Sequence, residues 1–556
     1  MEHLNLADAV ERHIQPGDAI QIFYGHSRWS ALAREVCRQF WGRDPGFELQ
    51  FLSLGNLATL FFHGRLLRRC VTTFVGNGFP TSGPNRIYTE AFKRGEVEFE
   101  HWSILTFQQR IEAAARGLPA LVTASLQGSD IASNDGFQLV DTRFGPVGLV
   151  APLVPDVALI HAPVADVDGN VAMTGPMMEG LWAGWAARRG ALVTVDRVVG
   201  SLAGLGGAVR LPAHRVLAVV EAPFGAHPGG VFAPGLPVRG YGEDIPFWNS
   251  IATASKGDYD AWAREWCLEV GTHDEYLRRL GDDRLDWLRG RSDPESWRDD
   301  DQAHPLDEKA PVTPQEIVAA ISARELATRV LSTRADALLA GAGISNLAAW
   351  VAAGEARRHG SSVRLTAEMG MWGYSPTPAD PYIFNHRSFP GAQMLNDCSS
   401  ILGLVLSGPG TKTVGALSGA EIDRRGNINS TRIPGASFVL GSGGAADVAA
   451  GADECVVSVV AHPRKLVDRC AYVTSPGERV TAVCTDLGVL RKREDGELGL
   501  AEVVAGPGQL EERVQQMRDA CGWDLEVFRD VREIPAPSPK EITDLRFFDR
   551  ERILLT

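Results

Sequence analysis

The feature that most limits how this chain can fold is a unit that recurs along it: a short apolar run, then glycine, then a helix-patterned stretch. The first instance is Ala19-Ile-Gln-Ile-Phe-Tyr24, then Gly25, then Leu32, Val36 and Phe40 at helical spacing within about Ser30–Trp41. Apolar runs at Phe47–Leu54 and Val71–Val75 also end in glycines, Gly55 and then Gly76 and Gly78. A helix is expected from about Thr106 to Arg116, stopped by Gly117-Leu-Pro119, and further strands at Val157–Ala162, Ala191–Val195 and Arg215–Val220. Such alternation predicts α/β architecture with a mostly parallel sheet, whose working edge lies at the strand C-termini.

The pattern then breaks and begins again. Residues 256 to about 291 read as helix, and Arg289–Pro305, continuing to Thr313-Pro314, is charged, polar and proline-punctuated. A stretch so poor in core-forming residues reads as a linker. Beyond it come a helix at about Pro314–Leu331, a strand at Ala335–Leu339, the turn Gly341-Ala-Gly343 and a helix at about Asn346–Arg358. A second echo is sharper: Asp166-Val-Asp-Gly-Asn170 and Asp423-Arg-Arg-Gly-Asn427 each follow a buried strand. One Asp-x-x-Gly-Asn turn means little, but two at corresponding places suggest a duplicated fold. The expected organisation is two related α/β domains with mostly parallel sheets, residues 1–292 and 314–556, joined by a polar linker at 293–313. A chain of 556 residues is too long for one core in any case.

Charge and cysteine usage narrow the functions. With 55 basic against 69 acidic side chains, the net charge of −14 argues against a nucleic-acid surface. Polar or small residues interrupt every apolar stretch before membrane-spanning length, and the N-terminal residues are polar and acidic, unlike a signal peptide. The eight cysteines are scattered without close pairs, which predicts reduced thiols in a cytoplasmic protein.

Most familiar catalytic motifs are absent from the sequence. There is no Gly-x-x-x-x-Gly-Lys-Ser/Thr phosphate loop, no Gly-x-Ser-x-Gly elbow and no His-x-x-x-His pair, so no metal is expected. Gly341-Ala-Gly343 lacks the third glycine of a dinucleotide fingerprint. Ser418-Gly and Ser442-Gly-Gly read as turns. What remains is Glu368. The apolar run Val363–Ala367 delivers this carboxylate to a glycine corner at Gly370 and Gly373, where it is either an acid in a surface turn or a partly desolvated nucleophile at the sheet's open edge. Gly441-Ser-Gly-Gly-Ala-Ala-Asp447 provides small residues whose backbone amides could converge on an oxyanion.

These residues resemble the family I CoA-transferases, and among them the glutaconate CoA-transferase type, over nearly the whole chain. In the first half, His101-Trp-Ser, Ala113-Ala-Ala-Arg-Gly-Leu-Pro119, Gly225-Ala-His-Pro228 and His273-Asp-Glu-Tyr-Leu277 have an A-subunit-like pattern. In the second, Ala367-Glu-Met-Gly370, Ser418-Gly-Ala-Glu-Ile-Asp423, Gly426-Asn-Ile-Asn-Ser-Thr431, Gly441-Ser-Gly-Gly-Ala445 and Tyr472-Val-Thr-Ser-Pro-Gly477 have a B-subunit-like pattern, with the two parts fused through the linker. The resemblance implies that Glu368 is the catalytic carboxylate, carrying CoA as a glutamyl thioester. It implies that Gly443, Gly444 and Ala445 face the intermediate, and that Gly341 and Gly343 lie near the CoA thiol. It places Gly25, His26 and Ile104 in the substrate pocket. CoA enters as a substrate, and no permanently bound cofactor is expected. The implied partners are an acyl-CoA and a carboxylic acid, and the implied assembly is a homo-oligomer, a homodimer in the simplest case.

Two positions depart from the family pattern. Ser103-Ile104-Leu105 replaces a glutamine-bearing segment, and Phe23-Tyr-Gly-His26 replaces a Gly-Gly-Phe turn, so the substrate contacts are expected to differ. The competing activity is CoA-thioester-dependent hydrolysis of a carbon–carbon bond, as in ring cleavage during steroid degradation, which relies on an acid from the first half. A third possibility is a non-enzymatic acyl-CoA binder.

Overall fold

The computed structural model describes residues 2–25, 30–78, 82–433 and 437–556. Each half is built on one ten-stranded sheet. The first runs Glu2–His3, Val216–Glu221, Gly190–Val199, Val157–Asp166, Ala19–Ile22, Phe47–Phe51, Leu67–Thr72 and Glu98–His101, and every neighbour along this path is parallel. Buried on both faces, such strands need continuous apolar runs, and all ten residues of Val157–Asp166 are buried. Strand order reverses where Ala19–Ile22 pairs with Val157–Asp166 (Ile20 opposite Val157, Ile22 opposite Leu159), which opens a crevice at their C-terminal ends.

The second sheet has its reversal at Ala337–Leu339, which lies parallel to both Arg364–Ala367 and Thr413–Ser418. Glu454–Ser458 and Val480–Cys484 continue it in parallel. A meander of Gly488–Lys492 and Leu498–Val504, then Val527–Ile534, completes that side. On the other side Arg364–Ala367 turns back antiparallel into Met371–Trp372, with Ala367 opposite Met371. Residues 368–370 are the corner of that hairpin, and Gly370 takes it at φ +114°.

The two Asp-x-x-Gly-Asn turns are built alike. Asp166 accepts from the Asn170 N–H at 2.8 Å and Asp423 from the Asn427 N–H at 3.0 Å, while each side-chain amide donates to the same aspartate. Gly169 and Gly426 both have positive φ, +98° and +78°. The chain is therefore a duplicated α/β fold at the level of individual turns.

Two segments differ from the sequence expectation. The apolar run Phe438–Leu440 reads in the sequence as a strand leading into Gly441, but it is divided: Ser437–Phe438 pairs with Arg432–Ile433, and the chain then crosses to the first half. There the Val75 N–H donates to Leu440 O (2.5 Å), the Gly443 N–H donates to Thr73 O (3.0 Å), and Phe74 bridges Gly441. Segment 293–313 is also more ordered than a plain linker. It carries the helix Trp297–Ala303, with Asp300 paired to Arg291 (3.1 Å) and Arg387 (2.7 Å), and Asp301 to Arg550 (2.5 Å). No helix among the described residues is long and apolar enough to cross a membrane.

Because the halves meet through main-chain bonds, their covalent tie is expected to be dispensable. Co-expressing residues 1–303 with 304–556, a cut at exposed residues, should yield a co-purifying complex on sedimentation. Separate or insoluble pieces would contradict it.

Candidate active site

The C-terminal edges of both sheets meet around one cavity of about 220 Å³. Its wall includes Tyr24, Thr73 and Ile104 from the first half, and Leu339, Glu368 and Leu417 from the second. Of the residues expected in the site, Ile104, Gly341, Gly343, Glu368, Gly443, Gly444 and Ala445 all line it. Gly25 does not, although its neighbour Tyr24 does; a Cβ at Gly25 would collide with the Phe23 ring. His26 lies outside the described residues.

Glu368 is the only acidic residue lining the cavity among the described residues, and no Lys, Arg or His joins it there. It is half-buried and has no hydrogen-bonding side-chain partner among them. Burial pushes its pKa up to about 7, and the nearby charge of Asp447 adds to the shift. The Gly441–Ala445 loop packs against it closely: a Cβ on Gly444 would lie 3.5 Å from Glu368 Oε2.

That loop corrects one expectation. The Gly443 N–H is spent on Thr73 O (3.0 Å) and the Ala445 N–H on Ser442 O (2.9 Å). These two amides fix the loop's shape and are not available to an oxyanion. The Gly444 N–H has no such partner among the described residues.

Asp447 crosses between the halves. It is fully buried, accepts Ser103 Oγ–H at 2.6 Å through Oδ1, and accepts the Leu105 N–H at 3.0 Å through Oδ2. It thereby caps the helix Ile104–Ala115, while the Ile104 N–H donates to Gly443 O at 3.1 Å. Burial raises the Asp447 pKa to about 6 against these donors, which lower it. The Ile104 side chain (4% exposed) is held at the cavity wall by this seam, and nothing in it replaces a glutamine's polar end.

On the second-half side, Gly341 has no room for a side chain, because a Cβ would sit 2.8 Å from Ser345 Oγ and closer still to Ala416 O. Gly343, at φ +79°, starts the helix Ile344–Arg358. On the first-half side the buried Glu179 anchors the turn after Ala19–Ile22, accepting from the Tyr24 N–H (2.7 Å) and Gln21 Nε2 (3.3 Å). Burial pushes its pKa up to about 8. Sequence reasoning assigned no role to Asp447, Glu179, Tyr24 or Tyr382. Asp447 closes the glycine-rich motif itself, and that position was the available signal.

Comparison with known proteins agrees with this architecture. The coenzyme A transferase family model matches residues 3–222. The A-type polypeptide of glutaconate CoA-transferase from Acidaminococcus fermentans is 30% identical over 307 residues, covering 51% of this chain and 92% of that polypeptide. The B-type polypeptide of 3-oxoadipate CoA-transferase from Pseudomonas knackmussii is 29% identical over 209 residues, covering 33% of this chain and 76% of that polypeptide. The apoenzyme of the acyl-CoA transferase YdiF from Escherichia coli O157:H7 shares the fold, with a TM-score of 0.66 and 16% identity over 97% of this chain and 96% of that one. The chain belongs to the coenzyme A transferase family, and it carries A-subunit-like and B-subunit-like parts in one polypeptide.

A carboxyl group whose pKa is raised by folding works against stability once it ionises. The cost is absent below the unfolded value, 4.5 for Glu368, and grows as pH rises to its folded value of about 7. Glu368→Gln should therefore stabilise the protein at pH 8 by about 1–3 kcal/mol, from the worth of a pKa unit, and the gain should vanish below about pH 4.5. Denaturant titrations at the two pH values check this, and equal effects at both would contradict it.

Proposed function

We propose that this protein transfers CoA between an acyl-CoA and a carboxylic acid, as a family I CoA-transferase, with Glu368 as the nucleophile. The observation that carries the reading is that one carboxylate, and no other acid or base of the described residues apart from tyrosine, faces a cavity between the two sheet edges. Serines line the cavity too, but none has a histidine or lysine beside it there to take its proton.

The steps follow from that geometry. A Glu368 carboxylate oxygen attacks the thioester carbonyl, the Gly444 N–H stabilises the oxyanion, and the C–S bond breaks to release CoA thiolate. The thiolate attacks Cδ of Glu368 in the resulting anhydride. The acid leaves with the bridging oxygen, and CoA remains on Glu368 as a thioester. An acceptor carboxylate reverses the sequence. One thioester is conserved throughout, so no energy-rich nucleotide is required.

The hydrolase reading needs an acid from the first half at the reacting centre. The buried first-half acid nearby, Glu179, does not line the cavity, and its Oε1 is occupied by the Tyr24 N–H. The transferase reading is therefore favoured.

Incubation with an acyl-CoA but no acceptor, then borohydride or hydroxylamine, should modify one peptide, that containing Glu368. Only the carboxylate attacks, so adduct formation should rise with pH with a midpoint near the Glu368 pKa of about 7. Glu368→Ala should abolish exchange, and Glu368→Asp, one methylene short, should lose about a hundredfold. Near-normal exchange in Glu368→Ala, or an adduct on another acid, would overturn the mechanism.

A further inference from the structure

Beside the cavity around Glu368 lies a second, smaller one of about 20 Å³, walled by Phe51, Leu54, Leu57, Ile245 and Trp248. Tyr24, Gly78 and Tyr382 line both cavities, so these three residues lie where the two adjoin. Tyr24 is held in place from behind, its N–H on Glu179 and its ring edge-on to Phe51 at 5.5 Å. Among the described residues, the one polar side chain in the small cavity's wall besides Tyr24, Tyr382 and the Trp248 indole is Asn56. Its Nδ2 donates to Trp248 O at 3.2 Å and its Oδ1 accepts the Gly78 N–H at 3.1 Å, tying two walls together. No charged residue lines this cavity among the described residues.

We propose that the small cavity is the subsite for the end of the substrate's acyl group, and that the substrates are acyl-CoAs whose acyl end is an apolar alkyl group. This rests on Glu368 being the site of acyl transfer. Apart from Tyr382, the small cavity belongs to the first half, whereas the Gly341–Gly343 turn, read as the CoA side, belongs to the second. An acyl chain whose thioester lies at Glu368 and whose end passes between Tyr24 and Tyr382 buries that end among Phe51, Leu54 and Trp248. The volume suits a terminal methyl or methylene and not a ring, since a cavity of this kind holds little more than one water-sized group. A carboxylate at the chain end would lose its hydration there with no cation among the described residues that line it. Ile104, at the larger cavity's wall, points the same way by offering no polar contact to a substrate.

The test uses the full-length protein with acetate as acceptor. Hexanoyl-CoA and adipoyl-CoA match in length and differ by a terminal carboxylate, so hexanoyl-CoA should have the higher kcat/KM by at least about tenfold. Trp248→Ala enlarges the subsite and should raise the ratio of decanoyl-CoA to butyryl-CoA activity by about tenfold, and Ile245→Phe, which fills it, should lower that ratio. The Glu368 adduct is measured alongside with each acyl-CoA. Should adipoyl-CoA serve as well as hexanoyl-CoA, or the ratio stay fixed in Trp248→Ala, while the Glu368 adduct forms normally, the subsite is wrong and the mechanism stands. If no acyl-CoA gives an adduct at Glu368, the mechanistic reading fails and the subsite with it. Trp248 is half-buried and its truncation removes bulk only, so that variant carries the test even if Ile245→Phe does not fold.

Discussion

The structure depends most on one buried carboxylate, Asp447. From the second half it takes two donors of the first, Ser103 Oγ and the Leu105 N–H, at the start of the helix Ile104–Ala115. A helix N-terminus carries positive potential and free N–H groups, so this is a site where a buried anion is tolerated. The same charge faces Glu368 and adds to the burial that keeps its proton on near neutral pH. One group thus contributes both to the assembly of the halves and to the raised pKa of Glu368. Desolvation is the larger effect on Glu368, and Asp447 the smaller.

The cavity exists because two switch points face each other. In the first sheet the reversal lies between Ala19–Ile22 and Val157–Asp166, and Tyr24 follows directly. In the second it lies at Ala337–Leu339, and Gly341 follows at the corresponding place. Either crevice alone would be an open groove at a sheet edge. The strand-like crossing of residues 439–443 onto Thr73 and Val75 closes the space between them, and it also spends the Gly443 amide. Loop rigidity here is obtained by using up donors, and the Gly444 N–H is left without a backbone partner among the described residues.

Much of this was legible in the sequence because it is local. Glycine after an apolar run marked strand ends, Gly370 marked the corner that presents Glu368, and the paired Asp-x-x-Gly-Asn turns revealed the duplication through their own hydrogen bonds. The misses are all long-range. Ser103 and Asp447 are 344 residues apart, and no local pattern pairs them. Tyr24 and Tyr382 come to line the same cavities only through the packing of the halves, and the commitment of the Gly443 amide depends on Thr73. Segment 293–313 has a linker's composition, but Asp300 and Asp301 find arginines that only the folded chain brings near, and a helix forms there.

The central claim is that Glu368 exchanges an oxygen with substrate on every turnover. When an acceptor carboxylate attacks the glutamyl thioester, one of its oxygens becomes the bridge of the anhydride, and it stays on Glu368 when CoA thiolate takes the acyl group. Turnover with an acceptor acid labelled with oxygen-18 in both carboxylate positions, followed by peptide mass analysis, measures this directly. The account predicts label in the peptide containing Glu368, one oxygen after a single turnover and both after many, and none when the acyl-CoA is omitted. Full exchange activity with an unlabelled Glu368 would contradict it.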